Sequence, residues 1–268
     1  MTKAEWLRWR WTYACGATVA LALFALVAHG GLWELLGVQH MHPYFADLAA
    51  ILAAGQAHVA GFNVYEINPF DPFGRPHVYG PLWLLTGQIG WVAADAWWLG
   101  LLLVSVFLVV ALGLLEPRSF RAAFVVTMVL LSPPVLLGIE RANNDLIIFL
   151  LFVIGAAAAA RQGRAGGYAG AALIVISAGL KFYPLVALPS LFARNGRLRS
   201  IAMTVGGGGA IFAVFWWLQR DAIAQALSIS PRPSTVFAFG VPLFPIVWEQ
   251  LVEHRTWLLF GFFVGGVS

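Results

Sequence analysis

Hydrophobic residues in this chain come in long unbroken runs, and the polar residues between them are gathered into short clusters and two longer segments. Residues 11–28, 96–115, 122–138, 146–160 and 201–218 each read as a membrane span, the third broken at Ser132-Pro133-Pro134. Runs of this length without alternation predict α-helices rather than the strands of a barrel. Residues 81–94 are apolar but short. At 1.5 Å per residue they reach roughly 21 Å, against the ~30 Å of a hydrocarbon core, so they are expected to form a re-entrant or half-crossing element. Residues 168–180 and 184–192 read as two half-spans in a hairpin around Lys181-Phe182-Tyr183. A last apolar run, 257–268, stops short of the about 20 residues a crossing helix needs, so the chain is expected to be a piece of a longer one.

The polar segments complete the picture. Residues 30–80 are expected to form a first outer loop carrying an interfacial helix over 44–60 and an ordered Gly-, Pro- and aromatic-rich loop over 61–80. Residues 219–254 are expected to form a second outer loop. Composition agrees: 60% of residues are apolar, only 10% are charged, and mean hydropathy is +0.82, more apolar surface than a water-soluble domain can hide. The expected fold class is an all-α integral membrane protein, a polytopic helical bundle forming a single transmembrane domain over residues 1–268.

The net charge of +4 is no nucleic-acid signal, because the basic residues sit in small groups at the ends of apolar runs. The positive-inside rule puts the N-terminus and the arginines at 118, 121, 161, 164, 194, 197 and 199 on the cytoplasmic side of a plasma membrane. That assignment holds only if residues 81–94 do not cross. The loop 30–80, the turn 140–145, the tip at Lys181 and the loop 219–254 then share the outer face. The first run exceeds the h-region of a cleaved signal peptide and reads as a retained span. One cysteine, Cys15, excludes an internal disulfide and a cysteine metal cluster.

Three sites on the outer face are candidates for chemistry, since ionisable groups at membrane depth are costly. Asp47, near the start of the interfacial helix, is placed as a helix N-terminal acid or as a general base at the membrane surface. In Glu140-Arg141-Ala142-Asn143-Asn144-Asp145, an asparagine N-cap followed by an acid in the first turn explains Asn143, Asn144 and Asp145 as helix-start residues. It does not explain Arg141, whose guanidinium suits phosphate oxygens, while the amides suit sugar hydroxyls. Lys181, where two half-helices meet, reads either as a snorkelling lysine or as the cation that holds a lipid phosphate. Tyr65 and Tyr79 offer rings to a sugar or to loop packing. There is no P-loop and no HExxH.

These pieces in this order resemble the GT-C glycosyltransferases that use polyprenyl-phosphate donors, most closely glycosyltransferase family 87. The matching residues are Tyr44-Phe45-Ala46-Asp47, Asn63-Val64-Tyr65, Val78-Tyr79-Gly80-Pro81-Leu82, the run 140–145 and Gly179-Leu180-Lys181-Phe182-Tyr183-Pro184. The resemblance implies a GT-C-like bundle and transfer of a sugar, mannose in the group it resembles, from a polyprenyl-phosphate donor to a lipid or glycan acceptor on the outer face. It implies Asp47 as the catalytic aspartate. Lys181 and Arg141 are then expected at the donor phosphate, and Asn143, Asn144, Asp145, Tyr65, Tyr79 and Tyr183 at the substrate. No cofactor is required, and a divalent metal is compatible. Gly80 departs from a Tyr-Pro-Pro pattern common in the family. A transporter or flippase is the competing expectation, since broken helices and buried charges also mark transport sites; a structural subunit is the third.

Overall fold

The computed structural model describes residues 3–161, 164–193 and 198–230. These residues all fall within one compact unit, 1–230. The expected run 257–268 and most of the second outer loop lie outside the described residues, as does much of the basic loop near 194–199.

The chain is all helix and loop among the described residues, and it is an all-α membrane protein. It runs through α1 (Lys3–Ala28), α2 (Gly31–Leu35), α3 (Ala46–Val59), a 3-10 turn (Pro81–Leu85), α4 (Thr86–Ile89), a 3-10 turn (Ala93–Asp95) and α5 (Ala96–Leu115). It continues through α6 (Phe120–Leu130), α7 (Pro133–Arg141), α8 (Asn144–Ala160), α9 (Arg164–Leu180), a 3-10 helix (Tyr183–Ala193), α10 (Leu198–Leu218) and α11 (Arg220–Ile229). Three stretches are long and apolar enough to cross a membrane: Trp9–Ala28, Ala93–Leu115 and Ile201–Leu218. Helices α6 and α7 together pass the same test but bend by 56° at the Ser132-Pro133 junction, where a proline enters at the first helical position.

The span boundaries read from the pattern agree closely at α1 and α5. Residues 81–94 form no continuous helix; two short turns end at Gly90 with φ +84, so this element has neither the length nor the regularity of a span. The second outer loop does not begin as a loop. Residues 220–229 form α11, whose Ile223 and Ala226 are buried. Three- and four-residue spacing of apolar residues at 222, 223, 226 and 229 carried that helix, obscured by its polar residues.

Helix α3 is where the fold closes around the candidate site. The expected surface helix is present, but protein rather than solvent covers it: ten of its residues, from Ala46 to Ala57, are buried. It packs on the 3-10 turn at 81–85, α4, α5 and α7. Alanines at 46, 49, 50, 53, 54 and 57 fall along one side of the helix and let neighbours come close, and glycine completes the approach. A Cβ on Gly87 would run into the Gly55 carbonyl, and one on Gly55 into the Thr86 hydroxyl and the Gly87 amide. The membrane-spanning helices meet in a core of their own that reaches the site through Phe45, Ile139 and Leu146. Cys15 and Val19 of α1 join Val104, Phe107 and Ala111 of α5 and Ala123 and Leu130 of α6 in one apolar cluster, where the Thr127 hydroxyl donates to Cys15 Sγ at 3.1 Å.

Gly87→Ala tests the α3–α4 contact. Overpacking of this kind costs about 1–3 kcal/mol. The purified variant is expected to melt several degrees lower in detergent, followed by circular dichroism, whereas Gly113→Ala, where an added Cβ meets nothing within 4 Å, leaves the midpoint unchanged.

Candidate active site

The turn between α7 and α8 builds half of the site. Ala142 adopts a left-handed conformation (φ 44) and closes α7 with two backbone bonds, Asn143 N–H to the Gly138 carbonyl (2.9 Å) and Ala142 N–H to the Ile139 carbonyl (3.1 Å), the Schellman pattern. Asn143 then caps α8, its Oδ1 accepting from the Asp145 amide at 3.0 Å. The cap uses only the oxygen. The Asn143 Nδ2 is left to point at α3 and donates to Asp47 Oδ2 at 2.7 Å.

Asp47 therefore stands in the first turn of α3, 6% exposed, facing a helix start on another element. The chain enters α3 through Phe45, held in a left-handed conformation (φ 61) with its amide bonded to the Glu140 carbonyl at 3.0 Å. The Phe45 ring lies over Gly100 of α5, where a side chain would collide with it. The other Asp47 oxygen meets Arg75, whose Nη1 lies 3.4 Å from Oδ1.

Arg75 was not singled out by its sequence, yet it organises the ordered loop. Its Nη2 donates to the Ala46 carbonyl at 2.7 Å, and its Nε and Nη2 both reach Asp71 at 3.1 Å. Asp71, fully buried in its side chain, also accepts from the Phe73 and Arg75 amides. Asp71, Arg75 and Asp47 thus form one chain of charge from loop to helix. The Asp71 contacts hold the guanidinium above its ordinary pKa despite burial. The four-residue interval from Asp71 to Arg75 in a turn-forming Asp-Pro-Phe-Gly-Arg stretch was the available signal.

Two further motifs are joined by glycine. The Gly80 amide donates to the Leu180 carbonyl at 2.9 Å, and a Cβ at Gly80 would strike the Gly179 carbonyl. Gly80, the departure from the family's pattern, is thus where the loop touches the end of α9. This contact sets Tyr79, packed with Ile51, Trp83 and Leu180, within electrostatic reach of Asp47, Arg75, Asp145 and Arg141. Burial, and then the negative charge of Asp47, push its phenol well above the ordinary range, so it stays a neutral donor. Beyond Leu180, Lys181 Nζ bonds Asp145 Oδ1 at 2.8 Å, and the Tyr183 hydroxyl donates to the same oxygen at 2.7 Å.

Most of the sequence candidates therefore converge. Asp47 and Asn143 touch directly; Asp145, Lys181 and Tyr183 form a second cluster, with Tyr79 between the two. Arg141 is largely buried, its Nε 3.6 Å from Glu140 Oε2. Glu140 itself is buried and accepts from the Met41 amide at 2.6 Å, tying the segment before α3 to α7. Asn144 is completely buried, with neither amide atom hydrogen-bonded to protein. Tyr65 is the exception: its ring packs at the other end of α3, with Ala54, Ala57, Val64, Leu84 and Ala226. Rings link it to the site through His77, 5.7 Å from Tyr65 and 5.9 Å from Tyr79. Among the described residues, no three His, Cys, Asp or Glu side chains are placed to share a metal ion.

A family model described as glycosyltransferase family 87 matches residues 75–248, about two thirds of the chain. The match begins at Arg75, takes in the 140–145 turn and Lys181, and leaves Asp47 outside it. No curated protein and no solved structure matches the chain.

Arg75→Ala leaves two buried carboxylates without their shared cation. Removing one partner of a buried pair costs about 3–5 kcal/mol, and Arg75's 31% side-chain exposure puts the expectation at the lower end, about 3 kcal/mol. The loss is expected to shrink in Asp71→Asn/Arg75→Ala, read by thermal melting. His77 makes a second, pH-dependent test. Burial lowers its pKa from 6.5 to about 4. The unfolded chain then binds more protons than the folded one between those values, so stability is full above pH 6.5 and falls as pH drops toward 4, by about 3 kcal/mol at most. His77→Gln is expected to flatten that slope.

Proposed function

The chain belongs to glycosyltransferase family 87, and from that premise we propose that it moves a sugar from a polyprenyl-phosphate donor to a hydroxyl of a lipid or glycan acceptor at the outer face of the plasma membrane, with Asp47 as the base. Family membership makes it a membrane glycosyltransferase. Mannose as the sugar and polyprenyl phosphate as the carrier are the finer reading.

The observation that carries the reading is the setting of Asp47. A buried carboxylate held by an amide and a guanidinium keeps about half of its roughly four lone-pair sites for another donor. An acceptor hydroxyl is such a donor. Beside it an apolar groove of about 860 Å³ runs between Leu23, Phe24 and Val27 of α1 and Trp97 and Leu101 of α5, and reaches Phe45 and Glu140 next to the site. That groove suits a polyprenyl tail lying in the plane of the helices, with its phosphate at the polar end.

The chemistry follows as a single displacement. The acceptor oxygen attacks the anomeric carbon and loses its proton to Asp47. The bond from that carbon to the phosphate oxygen breaks, and the electron pair leaves on the polyprenyl phosphate. Arg141 and Lys181 meet that charge, and such electrostatic stabilisation is a large contribution to catalysis. Asn143, with Asp145, Tyr79 and Tyr183, orients the sugar. Attack opposite the leaving group inverts the anomeric centre.

Transfer of radiolabel from polyprenyl-phosphate mannose to a membrane extract in liposomes tests this. Asp47→Asn, assayed at a temperature where it stays folded, is expected to lose about 10²–10⁴-fold in rate, the range typical of a removed general base. Wild-type rates in Asp47→Asn would remove the base from its role. Movement of the donor across the bilayer without bond cleavage would favour the transport reading.

A further inference from the structure

The end of α3 opposite Asp47 opens onto a second cavity. It has a volume of about 600 Å³ and lies between the loop after α3, the turns at 81–88, the end of α10, and α11. Its polar lining is made of Asn63, Gln88, Gln219 and Gln225, with His58 and Tyr65. Phe62 and Phe215 supply aromatic walls. Among the described residues, no Asp, Glu, Lys or Arg lines it.

That lining selects against most ligands. Beside it the Glu66 carboxylate accepts from Asn63 Nδ2 at 2.8 Å, a negative charge that disfavours a phosphate, a carboxylate or an anionic headgroup. Asn63 is engaged by Glu66, Gln225 and the Tyr65 amide, while the amides of Gln88 and Gln219 each present two N–H donors and a carbonyl acceptor, which matches hydroxyls that donate and accept together. Aromatic walls suit the apolar face of a pyranose. Tyr65 also lines the cleft; it is 8% exposed, and its hydroxyl is closed off from solvent with no hydrogen-bond partner among the described residues, a condition that costs free energy. The walls are also held in place, since Asn63 Nδ2 donates to Gln225 Oε1 at 3.2 Å and ties the loop to α11.

Position gives the cavity its role. His58 stands eleven residues after Asp47 on α3, which at 1.5 Å per residue separates them by about 16 Å. A sugar in the cleft is thus too far from Asp47 to react, but close enough to belong to the same oligosaccharide. The rings of Tyr65, His77 and Tyr79 run from one to the other.

We propose that this cleft is a subsite for neutral sugar units of the acceptor, several units removed from the hydroxyl that attacks at Asp47. The acceptor is then an uncharged glycan rather than a bare lipid headgroup. The assignment to the acceptor rests on the reading of Asp47 given above; the sugar-binding character of the cleft does not.

The test separates the two. The whole chain in lipid nanodiscs is titrated with linear manno-oligosaccharides and amylose fragments as neutral probes, with oligouronides of matching length as anionic controls, by saturation-transfer NMR. Neutral probes are expected to bind, longer ones more tightly than monosaccharides. Gln88→Ala/Gln219→Ala, both exposed positions, is expected to weaken them at least tenfold without moving the melting midpoint, and Tyr65→Phe to weaken them less. Asp47→Asn is expected to leave binding unchanged. Absence of binding by every neutral probe, equal binding of oligouronides, or binding indifferent to the cleft variants would each overturn the proposal. Transfer that survives Asp47→Asn together with binding lost in the cleft variants would sink the base and keep the subsite.

Discussion

A carboxylate that is 6% exposed has to be held by donors brought to it, and much of this structure is arranged around supplying them to Asp47. Removing a charged group from water costs several kcal/mol unless well-placed partners offset it. The two partners come from distant places in the chain. Asn143 arrives because a left-handed Ala142 turns α7 into α8 with the cap's amide nitrogen facing α3. Arg75 arrives because Asp71 fixes its guanidinium from behind. Loosen either support and the carboxylate loses its orientation as well as its stability. The same side chain thereby couples the loop after α3, the α7–α8 turn and α3 itself.

Close backbone approach does the rest. Gly55 with Gly87, and Gly80 with Gly179, let segments touch where any side chain would separate them. The first pair seats α3 against α4; the second brings Tyr79 to Lys181's neighbourhood. Each places a short polar motif against another without a large intervening residue, so the site's distances are set by backbone rather than by flexible side chains. Precision of this kind suits catalysis, in which an error of one ångström is expensive.

The runs at 11–28 and 96–115 announced their helices, because twenty apolar residues in lipid admit little else. The order and shared face of the motifs brought Asp47, Asn143, Asp145, Lys181 and Tyr183 together as candidates. Three things were not legible. The burial of α3 is tertiary: an alanine-rich amphiphile looks alike on a membrane and inside a protein. Arg75 lies in a loop whose path depends on its own hydrogen bonds, so its meeting with Asp47, 28 residues earlier, has no periodic signature. Tyr65 shares a motif spacing with Tyr79 but not a location, because the chain between them turns around His77 and leaves the two rings at opposite ends of a ladder.

The charges of the site are paired within it, though unequally. Arg75, Arg141 and Lys181 each face an acid: Asp71 and Asp47, Glu140, and Asp145 in turn. Three cations thus face four acids, which spares the site the cost of unpaired buried cations. These pairs are not equally committed. Arg75 is bonded to two acids and a carbonyl, while Lys181 holds a single oxygen of a half-exposed Asp145. Lysine's ammonium is a compact charge on a flexible stem and exchanges partners readily, whereas the guanidinium fork is fixed by geometry. Of the three cations, Lys181 is therefore the one whose pairing is most easily exchanged. The Asp145 oxygen that it shares with the Tyr183 hydroxyl would keep the phenol as its donor if the ammonium turned away, so the acid is held even where the lysine is not.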